Sequence, residues 1–154
     1  MKKLICALLL VVCMLSLFAC GSDADTTAKE IDINTVKEQI IADLSIEGAM
    51  DIAPARLLAL YGIEEADIKE SACFVTMDGI FPDEIVMIKA TDADAADRIE
   101  AKLNTRLDEI KVQSQSYDPE NYAIAQECKV FREGNVVALF VSAKHADMEA
   151  IFNK

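Results

Sequence analysis

The sequence has little of what most catalytic sites need, and histidine is the clearest shortage. It contains one histidine and no tryptophan among 154 residues. A serine or cysteine nucleophile needs a neighbouring base, and His145 is the single imidazole that can serve. His145 stands just before the last short helical pattern, where a solvated residue at a helix start is the simpler interpretation. No catalytic residues are therefore predicted.

Phosphate-binding and metal-binding motifs are also missing. The five glycines form no glycine-rich loop, and four of them stand where helices or hairpins end, at Gly48, Gly62, Gly79 and Gly134. The sequence has no CxxC and no HExxH, which with a single histidine excludes the common structural zinc sites. Asp92, Asp94 and Asp97 lack the turn glycine and closing glutamate of a calcium loop, so they indicate a helix start. No cofactor and no metal ion is predicted.

Basic residues are scarce relative to acidic ones. Lysine and arginine number 15 against 27 aspartates and glutamates, for a net charge of −12. A field of that sign repels phosphates instead of releasing their counterions, so no nucleic-acid partner is predicted. The acidic surface is interpreted as a solvated coat, because charge by itself names no ligand.

The first 19 residues have the composition of an export signal. Lys2 and Lys3 form a positively charged start, and an apolar run follows from Leu4 to Phe18, broken only by Ser16. The run is shorter than the about 20 apolar residues of a membrane-spanning helix and ends in small residues. Residues 1–19 are therefore predicted to be a cleaved signal peptide.

The end of this leader, Leu17-Phe18-Ala19-Cys20 followed by Gly21, resembles the lipobox of bacterial lipoproteins. The resemblance implies that the Cys20 thiol carries a diacylglyceryl group and that cleavage makes Cys20 the first mature residue. Two fatty-acyl chains, such as palmitate, are sufficient for stable anchoring, whereas one chain binds only reversibly. The expected location is the outer face of the cell membrane, and the expected lipid contact is through Cys20. Residues 20–28 then form a lipidated cysteine and a flexible tether, since they contain no large apolar residue.

Residues 29–154 are long enough for one domain with a single core. Helical spacing of apolar residues predicts a helix over about 34–44 with Asn34 as its N-cap, and a short helix from Pro54 to a stop at Gly62. Alternation predicts a strand over Ile68–Met77. The nearly continuous apolar run Glu84–Ala90 indicates a central or covered strand.

The second half repeats the pattern of two strands and a helix. A long helix is predicted after a capping pattern at Thr91 and Asp94, and a helix start at Asp118-Pro119. Strands follow at Gln126 to Arg132 and Val136 to Val141, and a short helix closes the chain. The predicted fold is α+β, in the order ααββαββα, with a four-stranded antiparallel sheet made of two hairpins and helices on one face. The predicted core is Ile40, Leu44, Leu57, Val75, Ile85, Met87, Ile99, Leu103, Ile110, Val130, Leu139 and Val141.

Two cysteines remain in the predicted domain, Cys73 and Cys128. Each stands six residues before a turn glycine, on the apolar face of its strand, so both are expected to point into the core. Export permits a disulfide between them. Two buried free thiols that behave as small hydrophobic side chains are the alternative. The sequence leaves both possibilities open.

Four short stretches carry a resemblance to a known family. They are Leu60-Tyr61-Gly62-Ile63, Asp83-Glu84-Ile85, Tyr117-Asp118-Pro119 with Tyr122, and Gly134-Asn135-Val136-Val137. These stretches are similar to small lipoproteins of Gram-positive bacteria that share domain of unknown function 4358, over roughly residues 34–152. The resemblance implies an extracytoplasmic location and a fold class, and it implies no activity.

The leading functional hypothesis is a non-enzymatic, monomeric domain that binds an envelope protein or peptide. Tyr61, Tyr117 and Tyr122 fall at element ends and are candidate binding anchors, although such a ring also packs at the edge of a core. An alternative is a carboxylate-based cell-wall or glycan hydrolase, which would need two acids about 5 to 10 Å apart in a cleft. A third hypothesis is an accessory subunit of a transporter or secretion system.

Overall fold

The structure is a computed structural model that describes residues 30–77 and 82–154. The predicted signal peptide, the predicted tether and Cys20 lie outside the described residues, as does the turn glycine Gly79. Within the described residues, no helix is long and apolar enough to cross a membrane.

The described residues form an α+β domain. The helices are α1 (Ile33–Asp43), α2 (Leu57–Tyr61), α3 (Ala93–Tyr117), α4 (Pro119–Glu127) and α5 (His145–Phe152). The strands are β1 (Met50–Asp51), β2 (Ile68–Ser71), β3 (Phe74–Val75), β4 (Glu84–Ala90), β5 (Val130–Glu133) and β6 (Val136–Val141). Short 3-10 turns at Pro54–Arg56 and Glu65–Asp67 precede α2 and β2.

The strands make one antiparallel sheet in the order β1-β3-β4-β6-β5, and β2 also pairs with β4. The α+β class and the antiparallel sheet are confirmed, but the predicted number of four strands is wrong. The predicted strand over Ile68–Met77 is divided into β2 and β3, which lie end to end along the same edge of β4. The two-residue strand β1 and the separate helix α4 also depart from the predicted order. Two residues are too few to show a period, so β1 gave no signal.

Helices cover the sheet on both faces, so the expectation of helices on one face is wrong. Val86 and Ile88 of β4 pack in a core shared with α2, α3 and α4, whereas Ile85 and Met87 pack in a second core shared with α1 and α5. Successive side chains of a strand point to opposite faces. A strand that is apolar at nearly every position, as β4 is, therefore needs a helical layer on each side.

Nine of the twelve predicted core residues are buried. The other three, Leu44, Val75 and Val130, are only partly buried.

Two predicted N-caps are displaced, because an aspartate nearby supplies the capping carboxylate. Asp32 rather than Asn34 caps α1, accepting from the Asn34 and Thr35 amides at 3.1 Å each. Asp92 rather than Thr91 caps α3, accepting from the Ala95 amide at 2.8 Å.

Candidate functional site

An ion pair between the sheet and a helix lines two depressions of the domain. Glu84 is the first residue of β4 and is 6% exposed, because β3 and β6 flank it and α3 crosses above. Arg106 Nε donates to Glu84 Oε1 at 3.0 Å, and Arg106 Nη2 donates to Glu84 Oε2 at 2.7 Å. This two-pronged contact satisfies both oxygens of a carboxylate that would otherwise be buried without a partner. The hydrogen bonds from Arg106 to Glu84 also raise the pKa of Arg106, so its guanidinium remains charged.

An elongated depression of about 510 Å³ lies on one side of this pair, and we call it the apolar groove. Its wall contains Met50, Ile52, Leu60, Tyr61, Val75 and Met77. Met50, Leu60 and Met77 are 49%, 43% and 67% exposed, which is unusual for large apolar side chains. Three of the six large apolar residues that are exposed in the described part of the chain therefore gather at one groove.

The charged groups of the apolar groove are not all neutralised. Asp51 accepts from Lys37 Nζ at 2.9 Å, and Glu84 is held by Arg106. Arg56 also lines the groove and is exposed. Among residues 30–77 and 82–154, no acidic side chain forms an ion pair with it. The groove thus combines an apolar wall with one guanidinium group available to an anion.

A smaller depression of about 270 Å³ lies on the other side of the ion pair, and we call it the polar cavity. It opens between α3, α4 and the end of the sheet where β4 begins and β6 finishes. Asp83, Gln113, Asn121 and Ser142 contribute polar groups to its wall, together with Arg106. Apolar contributions come from Ile110, Ile124 and Val141. Glu84 and Arg106 therefore form a partition between two cavities of different character.

The structure separates the three tyrosines that were candidate anchors. Tyr61 is 8% exposed and forms part of the groove wall, where burial and the adjacent Glu84 carboxylate raise the pKa of its phenol. Tyr117 is 90% exposed at the end of α3, and Tyr122 in α4 is half-buried. Eleven residues of helix, about 16 Å, separate Arg106 from Tyr117. Only Tyr61 belongs to the candidate site.

Cys73 and Cys128 are both buried, as expected, and both are free thiols. Cys73 Sγ donates to the Met87 carbonyl at 3.6 Å, and Cys128 Sγ donates to the Ile124 carbonyl at 3.3 Å. A disulfide would need neighbouring strands, but β4 and β6 lie between the strands that follow Cys73 and Cys128. Three strand spacings put the strands roughly 14 Å apart, far beyond the reach of a disulfide. Burial raises the pKa of Cys73 to about 12 and that of Cys128 above its usual value, which favours inert thiols.

Paired carboxylates at the polar cavity bear on the hydrolase alternative. Asp83 and Glu84 both line the cavity. Glu84, however, is held at both oxygens by the guanidinium of Arg106, so it is not free to protonate a leaving group.

His145 Nε2 lies 3.6 Å from Glu127 Oε2, and His145 lines neither cavity. Within the described ranges, no group of three or more His, Cys, Asp or Glu side chains is placed to hold a metal ion.

Sequence reasoning missed Arg106 and the exposed apolar residues of the groove. Arg106 follows Leu103 by three residues and precedes Ile110 by four, so it lies at the flank of the apolar stripe of α3. Glu84 is the one acid of β4, and it stands at the start of a strand whose next four residues are all apolar. A basic residue beside a helical stripe and an acid at the edge of a buried strand are the signals that could have suggested this pair.

The comparisons with known proteins give one match. No curated protein and no solved structure matched the chain. A family model described as domain of unknown function (DUF4358) matches residues 42–142, about two thirds of the chain. The matched segment includes Glu84, Arg106 and the wall of the apolar groove. The resemblance of the short stretches to this domain is confirmed, and the chain belongs to the DUF4358 family.

Proposed function

We propose that this chain is an exported lipoprotein, anchored through Cys20 to the outer face of the cell membrane, whose domain binds an envelope protein or peptide without catalysing a reaction. The binding site in this proposal is the apolar groove. The observation that carries it is the gathering of exposed Met50, Leu60 and Met77 along one concave wall. A strongly acidic protein loses stability and solubility by exposing such a patch, so contiguous apolar surface marks an interaction site. Methionine side chains suit this role because they adapt to different partners.

The chemistry of the groove specifies an extended, mainly apolar segment that also carries an acidic group. Arg56 is the cation of the groove that lacks an ion-pair partner in the described residues, and a carboxylate on the ligand would supply one. β1 is an edge strand and contributes Met50 and Asp51 to the same wall. Edge strands offer backbone groups to an added peptide strand. Because β1 has only two residues, side-chain contacts would have to provide most of the selectivity.

The position of the N-terminus supports a groove that faces away from the bilayer. The Glu30 carboxylate accepts from Lys89 Nζ at 2.9 Å, which holds the start of the described chain near the C-terminal end of β4. Glu84 is five residues earlier in β4, about 17 Å along the strand. The predicted tether would therefore join the domain at the end of β4 opposite to the groove. A partner outside the cell could then reach the groove without meeting the lipid surface.

Changing Cys20 to serine should leave the protein unlipidated. By resemblance to bacterial lipoproteins the diacylglyceryl group is attached to a cysteine thiol, and a serine hydroxyl does not accept it. We expect the wild-type protein in the membrane fraction with acyl mass on its N-terminal peptide, and Cys20→Ser without that mass. The measurements are fractionation and intact mass spectrometry. Cys6→Ser, a change inside the predicted signal peptide, should leave lipidation intact. A wild-type N-terminal peptide without acyl groups would refute the anchoring proposal.

Removing the apolar wall of the groove should weaken peptide binding. The protein displayed on phospholipid vesicles is used to select binders from a random decapeptide library. We expect the selected peptides to combine apolar residues with aspartate or glutamate. Leu60→Ser combined with Met77→Ser should reduce their affinity by at least about tenfold, since each lost contact removes buried apolar area.

Leu58→Ser is the matched control for that experiment. Leu58 is 51% exposed on the same helix as Leu60 but does not line the groove, so its replacement should leave affinity unchanged. Arg56→Gln should weaken acidic peptides and spare versions in which each carboxylate is an amide. If the selected peptides bound the double variant, Leu60→Ser with Met77→Ser, as tightly as the wild-type protein, the groove would be excluded as their binding site.

A further inference from the structure

The polar cavity is chemically distinct from the apolar groove although the two share a partition. Asp83, Gln113, Asn121 and Ser142 line the polar cavity and do not line the groove. Its volume of about 270 Å³ is slightly below the roughly 300 Å³ at which pockets for drug-sized ligands begin. A molecule of the size of a single amino acid fits such a space, whereas a folded segment or a sugar chain does not.

The wall of the polar cavity offers groups for a positive charge. Asp83 forms no ion pair with any lysine or arginine in the described ranges, and its backbone is held by Thr76 through two hydrogen bonds at 3.0 and 2.9 Å. Asn121 Nδ2 donates to Asp118 Oδ2 at 2.7 Å, which leaves the side-chain carbonyl oxygen of Asn121 as an acceptor. A carboxylate on a backbone held in this way and an amide oxygen together suit an ammonium group.

The same wall also offers groups for a negative charge. Arg106 uses Nε and Nη2 for Glu84, so three of its five N–H groups remain. Its Nη1 lies 3.8 Å from Glu109, too far for a hydrogen bond. Ser142 is 4% exposed, and its oxygen accepts from the Lys144 amide at 3.0 Å while its hydroxyl proton stays available. Guanidinium and hydroxyl donors suit a carboxylate.

We propose that the polar cavity binds a small zwitterion with an apolar body, of which a free apolar α-amino acid is the simplest example. Asp83 and Asn121 would receive the ammonium group, and Arg106 and Ser142 would receive the carboxylate. Ile110, Ile124 and Val141 would contact the apolar body. A ligand that lacks the ammonium group leaves Asp83 without a partner in a half-enclosed site, and one that lacks the carboxylate leaves the remaining N–H groups of Arg106 and the Ser142 hydroxyl without an acceptor. Unpaired polar groups there cost affinity. Both charges are therefore required.

The test uses L-alanine, L-leucine and L-phenylalanine as probes, with binding followed by NMR chemical shifts of the backbone amides in the intact protein. We expect at least one of the three to shift the Asn121, Ser142 and Ala143 amides with saturation. The amino-acid amide and the N-acetyl derivative of that probe, each lacking one charge, should bind at least tenfold more weakly. Asp83→Asn should weaken the free amino acid by about ten- to a hundredfold, because it removes a charge-assisted hydrogen bond.

Two controls separate this site from the groove and from changes in folding. Asp108→Asn removes an exposed acid from α3 outside the polar cavity and should leave amino-acid binding unchanged. Leu60→Ser with Met77→Ser should also leave it unchanged, so the proposal can hold even where the groove proposal fails. The highest probe concentration is 50 mM, on the order of ten times the weakest dissociation constant of interest. If none of the three probes gives saturable shifts at that concentration, the inference is overturned. Equal binding of the derivatives that lack one charge would overturn it as well.

Discussion

Replacing Arg106 with alanine should lower the free energy of unfolding by about 3 kcal/mol. The change leaves the Glu84 carboxylate at 6% exposure without its partner, and removing one member of a buried pair costs about 3 to 5 kcal/mol. We expect the lower part of that range because the Arg106 side chain is 28% exposed and water can reach part of the site. Arg106→Lys should recover only part of the loss, since an ammonium cannot contact both oxygens in the same way. Urea unfolding followed by circular dichroism measures the difference.

Arg98 provides a control with the same geometry and a different environment. Arg98 Nε and Nη2 donate to the two oxygens of Asp67 at 3.0 and 2.6 Å, as Arg106 does to Glu84. The Arg98 side chain is 57% exposed and that of Asp67 is 14% exposed, so solvent screens the interaction from the arginine side and Arg98→Ala should cost clearly less stability than Arg106→Ala. Both arginines are on α3. Equal losses for the two variants would show that burial of Glu84 does not govern the energy of its pair.

A double replacement distinguishes a stabilising pair from an unpaired charge. Glu84→Gln combined with Arg106→Met removes both charges and keeps similar side-chain volumes. Most of the loss in Arg106→Ala should then be regained, because the penalty comes from leaving a carboxylate buried and alone. A double variant as unstable as the single one would indicate that Arg106 acts mainly by packing its aliphatic stem.

The sequence predicted the elements with a strong period much better than the short ones. α3 follows its apolar stripe at Ile99, Leu103 and Ile110, and β4 and β6 match the two long apolar runs. The interruption between β2 and β3 was missed because alternation continues through Ala72 and Cys73. Only the structure reveals the break. Ser71 opposes Ile88 and Phe74 opposes Ile85 in the same register, but Ala72 and Cys73 between them are not strand residues.

The candidate site was largely hidden from the sequence because it depends on contacts between distant residues. Glu84 and Arg106 are separated by 22 positions, and neither belongs to a local motif. Met77 is the last residue of the strand predicted over Ile68–Met77, yet it is 67% exposed because the strand β3 ends two residues earlier. Tyr61 is the exception. Its position just before a helix-ending glycine was recognised, and the structure puts it beside the ion pair.

Alanine replacements at two adjacent positions of β6 test the two-sided architecture. Leu139 and Phe140 are both fully buried, Leu139 against the α3 side and Phe140 against the α1 and α5 side. Leu139→Ala should cost about 2 to 5 kcal/mol and Phe140→Ala about 3 to 5 kcal/mol, because each leaves a cavity in a packed core. Phe140 also loses edge contacts with Phe131 and Phe152, whose ring centroids lie 5.7 and 5.9 Å away. Urea unfolding measures both losses.

A sheet covered by helices on only one face would give a different pattern of losses. One of the two successive side chains, Leu139 or Phe140, would then face water. In that arrangement only one of the two replacements would be costly, and the other would change stability by less than about 1 kcal/mol. Val112→Ala is the surface control, because Val112 is 70% exposed on α3 and should cost no more than about 0.5 kcal/mol. If Phe140→Ala fails to fold, Phe140→Leu keeps most of the volume and should still lose about 1 kcal/mol or more. Large losses at both Leu139 and Phe140, with little change at Val112, require a helical layer on each side of β6.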